Sequence, residues 1–175
     1  MSSRDSDDRA RAKLLSDALR AVRKIRPAKT EALADALGLS VRGYQNFEAG
    51  GGALSVKHVM NFGAAIDCDP LGVAAAVQIG QPQFAAWVAH NKAMLAFAMT
   101  LEEFVEETGD AIAHLDTTEL VSCYRAMFKD LSAKALQAKS AKDDWLARLG
   151  RTGRGDEPFE PDGSADPRDP DDEPS

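Results

Sequence analysis

At 175 residues, with 44% hydrophobic and 28% charged positions and a formal net charge of −7, the chain has room for one ordinary domain or two small ones. It contains no apolar run of membrane-spanning length and opens on polar residues rather than a signal peptide, which points to the cytoplasm. The two cysteines, Cys68 and Cys123, are far apart in apolar helical contexts and read as reduced thiols, and His58, His90 and His114 show no ligand spacing, so neither a metal nor a cofactor is expected.

Residues 1–12 mix Arg4, Arg9 and Arg11 with Asp5, Asp7 and Asp8 and read as a mobile arm. A first helix follows, carrying Leu19, Val22 and Arg23. In the second, Leu33, Ala34 and Leu37 share one apolar face, with Ala34 small enough to let a neighbouring helix approach. Gly38 sits just past the last apolar residue, where a helix ends with positive φ. Ser40 is placed to accept from an orphan amide and open the third helix. There Tyr44 and Phe47 face inward, leaving Val41, Arg42, Gln45 and Asn46 outward. Gly43 lies inside this helix at a cost of about 1 kcal/mol relative to alanine. A fourth helix runs from Ser55 to Ile66, and Asp69-Pro70 caps a fifth, with proline at the first position where no amide bond is lost.

A short helix, a turn at glycine and a second helix opening on serine is the pattern of a helix-turn-helix, which lays its second helix in the DNA major groove. Paired hydrogen bonds from Gln45 or Asn46 suit adenine, and those from Arg42 suit guanine. On Leu19, Val22, Arg23, Leu33-Ala34, Gly38-Leu39-Ser40, Tyr44 and Phe47-Glu48-Ala49-Gly50, the segment from Leu19 to Leu71 resembles the Cro and phage-repressor type of helix-turn-helix domain, the xenobiotic-response-element family. The resemblance implies a five-helix DNA-binding fold. It also implies a salt bridge between Arg23 and Glu48, and base contacts from Val41, Arg42, Gln45 and Asn46. Glu48 at a helix C-terminus is badly placed against the macrodipole, so a nearby cation would account for it. Thr30 stands where the family has a glutamine that contacts phosphate, and Gly50-Gly51-Gly52 occupies positions that are often basic.

Charge divides along the chain as +4 over residues 1–60, −5 over 61–150 and −6 over 151–175. Positive charge therefore lies where DNA is expected, with Arg26, Lys29, Arg42 and Lys57 as phosphate neutralisers beside Thr30.

Gly80 and Pro82 mark a break, so a domain of residues 13–79 is expected to end there. Over residues 83–149, Phe84, Trp87 or Val88, Asn91, Met94 or Leu95, Ala98, Leu101 and Val105 alternate in steps of three and four. After a break at Thr108-Gly109, Leu120 or Val121, Tyr124, Met127 or Phe128, Leu131 and Ala135 repeat the spacing, with Trp145 and Leu149 on a short last segment. This suits a helical hairpin or a two-chain bundle with Asn91 on the seam, used for self-association or partner binding. Residues 150–175 form a Pro/Gly/Asp-rich acidic tail that cannot bury a core. No catalytic constellation is present; Asp143-Asp144-Trp145 reads as a helix start, and an enzyme is not expected. The expectation is thus an all-α regulator binding double-stranded DNA as a homodimer, associated with the nucleoid. The alternative is an interaction protein, such as an antitoxin or RNA polymerase adaptor, working through residues 83–149.

Overall fold

The computed structural model describes residues 3–51 and 55–152. The described residues are all-helical, with no strand among them: α1 (Ser3–Ile25), α2 (Thr30–Leu37), α3 (Val41–Glu48), α4 (Val56–Ala65), α5 (Pro70–Gln78), α6 (Gln83–Val88), α7 (Ala93–Thr108), a 3-10 turn (Gly109–His114) and α8 (Thr117–Thr152). The chain divides into two compact units, Met1–Ile112 and Ala113–Ser175.

In the first unit the apolar faces read from sequence converge. Leu15, Leu19 and Val22 of α1 meet Leu33, Ala34 and Leu37 of α2, Tyr44 and Phe47 of α3, and Val59 and Phe62 of α4 in one buried cluster. The helix boundaries follow the local chemistry. Gly38 adopts the left-handed conformation at φ 67° and ends α2, its amide donating to Asp35 O. Ser40 Oγ accepts from Gly43 N at 3.0 Å to open α3, and Asp69 Oδ1 accepts from Gly72 N at 3.0 Å to open α5 ahead of Pro70.

Three features depart from the sequence reading. First, α1 begins at Ser3, so residues 3–12, expected as a mobile arm, include the first turns of a 23-residue helix. Second, the core does not close at residue 79. Ala85, Val88 and Ala89 are buried and α6 packs on both α1 and α5, the latter so closely that a Cβ at Gly72 would collide with Val88. Third, residues 84–105 are not one helix. The chain breaks between Val88 and Ala93, with Lys92 left-handed at φ 52°. Asn91, expected on a seam, is exposed in that turn and its Oδ1 accepts from Ala93 N at 3.2 Å. The apparent heptad thus splits between α6, whose Val88 belongs to the first unit's core, and α7, which packs on α5.

In the second unit α8 is one unbroken helix of 36 residues. Trp145 therefore lies within it rather than on a separate short segment, and Asp143-Asp144 is mid-helix rather than a helix start. The helix runs on to Thr152, so residues 150–152 of the expected tail are helical, and 153–175 lie outside the described residues.

Candidate nucleic-acid interface

The outward face of α3 is built on a buried inner one. Tyr44 is fully buried and Phe47 nearly so, and the rings meet at 6.4 Å between centroids; Phe47 also stacks edge-on against His58 of α4. With those two side chains fixed inward, helical geometry puts Val41, Arg42, Gln45 and Asn46 on the exposed side. Among the described residues Arg42 and Gln45 make no side-chain hydrogen bond or ion pair, so both are available to an external partner.

The far end of α3 is tied to α1. Arg23 Nη1 donates to Glu48 Oε1 at 2.7 Å and its Nη2 donates to Ala28 O at 2.8 Å, while the Tyr44 hydroxyl donates to the same Glu48 oxygen at 3.2 Å. The guanidinium lies 5.9 Å from the Tyr44 ring centroid. The hydrogen bond to Glu48 raises the Arg23 pKa, and burial followed by the Glu48 charge raises that of Tyr44. Both groups keep their protons, so this clamp holds α3 in place across the working pH range. The pairing of Arg23 with Glu48 is the one the resemblance implied, and it supplies the cation that Glu48 needs at a helix C-terminus.

Behind α3 the chain turns at Gly50, with φ 81° and no room for a side chain, since a Cβ there would collide with Ala12 O of α1. Gly51 likewise sits against Asn46. Asn46 Nδ2 donates to Gly51 O at 2.7 Å, and Gly51 N donates back to Asn46 O at 2.7 Å. The amide of Asn46 is therefore occupied in closing this loop, although the residue is exposed. Its partner is a glycine whose role was not evident from sequence; the signal was the glycine run itself.

Of the proposed phosphate contacts, Lys29 and Lys57 are exposed and, among the described residues, carry no ion pair. Thr30 opens α2, whose N-cap position, Lys29, offers no side-chain acceptor, so the first-turn amides of that helix keep their donor capacity. Arg26 is differently placed. Its Nη1 lies 3.4 Å from Asp67 Oδ2 and its Nη2 lies 2.9 Å from His90 Nδ1. An arginine only donates, so His90 Nδ1 is the acceptor of this contact. Asp67 also takes a 2.6 Å bond from Lys92, which holds its carboxyl below the usual carboxylate range. Arg26 and Lys92 thus tie the turn after α4 and the turn before α7 together, on partners 41 and 64 residues from Arg26 that no local pattern announces.

Comparison of the chain with family models, with curated proteins and with solved structures finds no match.

Proposed function

We propose that the protein is a sequence-specific DNA-binding transcriptional regulator of the Cro and phage-repressor type. In this reading α3 enters the major groove and the chain acts as a homodimer on the nucleoid. The observation that carries it is the outward face of a short, doubly anchored helix. Ser40 fixes its start, the Arg23–Glu48–Tyr44 clamp fixes its end, and Arg42 and Gln45 stand exposed between them with no partner among the described residues. Such side chains can pair with guanine and adenine edges, and Val41 with a thymine methyl. Lys29, Thr30 and Lys57 flank that face as phosphate contacts. Asn46 and Arg26 contribute to the fold first, because Asn46 Nδ2 and the two terminal nitrogens of Arg26 already have partners.

Selection of bound sequences from random duplex DNA by the purified protein tests this directly. Recovery of one shared motif, matched by sharp genomic occupancy peaks containing it, is the expected result. Binding without a motif, or broad promoter signal following the polymerase, would instead support the interaction-protein reading. That second reading draws on Asn46, whose adenine-pairing amide is taken by Gly51, and on the glycine loop that stands where basic residues are common in the resembling family.

A further inference from the structure

The described part of α8 is exposed along its whole length except at Leu120, which is half-buried. Most of its apolar residues are nonetheless ordered, Leu136 standing apart on another side of the helix. Leu120 and Leu131 are eleven apart, as are Tyr124, Ala135 and Leu146, and Met127 and Ala138. An eleven-residue recurrence is close to three full turns, so these positions keep to one side of a nearly straight helix. Val121 and Phe128 widen the stripe at one shoulder, and Trp145 continues it toward the C-terminal end. Phe128 is 56% and Trp145 54% exposed. From Leu120 to Leu146 the stripe is about 39 Å long at 1.5 Å per residue. A surface of this kind marks a contact site rather than a solvated face.

We infer that the occupant of this stripe is the same stripe on a second copy of the chain, running antiparallel. The argument is one of charge and size complementarity. Lys142 lies on the midline of the stripe, and a parallel in-register pair would set it against its own copy. An antiparallel pair with its twofold axis between Lys134 and Ala135 does the reverse. It sets Lys142 over Met127, whose flexible thioether accommodates the aliphatic stem while the ammonium reaches water. It sets Leu131 over Ala138, large against small, and Tyr124 over Trp145. On the flank it brings Arg125 to Asp143, twice by symmetry. Length points the same way, since a 16-residue helix such as α7 spans about 24 Å and would leave about 15 Å of the stripe uncovered. The inference rests on the self-association half of the proposed function and makes no use of DNA.

Light scattering on the full chain at micromolar concentration should give twice its 18.8 kDa mass. Leu131→Asp should give the monomer with the first unit's helices intact by circular dichroism. A monomeric unmutated chain would overturn the inference, leaving the stripe to another segment or another protein, and so would a Leu131→Asp variant that stays dimeric. Direction is read separately by mild oxidation in a Cys123→Ser background. Ala135→Cys, beside the twofold axis, should form a disulfide-linked dimer, and Tyr124→Cys should not. Cross-linking through Tyr124→Cys would mean a parallel pair and sink the register. Because no DNA is present, failure here leaves major-groove reading intact, and failure of motif selection leaves this pairing intact.

Discussion

Asp69 and Met94 are joined across 25 residues by a 2.7 Å hydrogen bond, the Met94 amide donating to a carboxylate that is 1% exposed. The same Oδ2 takes a longer bond from Leu95 N at 3.4 Å, while Oδ1 caps α5 through Gly72 N. One buried side chain therefore opens two helices. It does so because Lys92, at the N-cap position of α7, is left-handed and offers no side-chain acceptor, while Asn91 Oδ1 takes only the Ala93 amide. Asp69→Ala should lower stability by about 2–4 kcal/mol, the loss of two caps with buried amides left unpaired. Asp69→Asn keeps only one carbonyl acceptor and should fall between the two. Urea unfolding of the three proteins checks the order, and an asparagine variant as stable as wild type would mean that one of the two caps contributes nothing.

Arg23 and Glu48 should be coupled. Arg23→Ala should cost about 1–3 kcal/mol, because Glu48 is left at a helix C-terminus without its cation and Ala28 O loses a donor. Glu48→Ala in that background should recover part of the loss, with a coupling of at least about 0.5 kcal/mol in the double-mutant cycle. Additive effects would mean the clamp does not hold α3.

Two arginines close in sequence should behave differently. Arg42→Ala should lose about 1–3 kcal/mol on the selected motif and much less on random DNA, and Gln45→Ala should do the same. Arg26→Ala should lower the unfolding midpoint, since His90 Nδ1 loses its partner and Asp67 keeps only Lys92, with a small effect on DNA affinity. Lys29→Ala should weaken binding to all sequences alike and flatten its salt dependence. Filter binding at several salt concentrations separates these outcomes.

The thiols should also separate. Cys68 is buried and Cys123 exposed, so a thiol reagent should modify one group promptly and the second only in denaturant. Burial, reinforced by Asp69, pushes the Cys68 pKa from 9.0 up to about 11. A pKa raised in the folded state means that the stabilising difference is intact below pH 9 and is lost as pH climbs toward 11. Wild type should therefore lose stability across that window more steeply than Cys68→Ala, as chemical denaturation at stepped pH would record.

What was legible in the sequence was local. Gly38, Ser40 and the Asp69-Pro70 cap of α5 act within four residues of where they stand, and each placed a helix boundary correctly; the reach of Asp69 to Met94 was not part of that pattern. The period of Leu33, Leu37, Tyr44 and Phe47 gave the inner face for the same reason. The tie between Arg23 and Glu48 came from the resemblance. What was not legible depended on distance or on small residues. Ala85 and Ala89 are too small to signal that α6 belongs to the first core. Lys92 carries no mark of its left-handed backbone, so a broken pair of helices read as one heptad. Asn46 looked free because its partner, Gly51, shows no donor or acceptor beyond its backbone.

Every residue of the buried core lies at or before Ala89, whereas the apolar stripe of α8 begins at Leu120. During synthesis the segments of the core leave the ribosome first, and domains form in that order. The stripe emerges when the helices it might have competed for are already in place. Its greasy surface is thus kept out of the step at which it would do most harm.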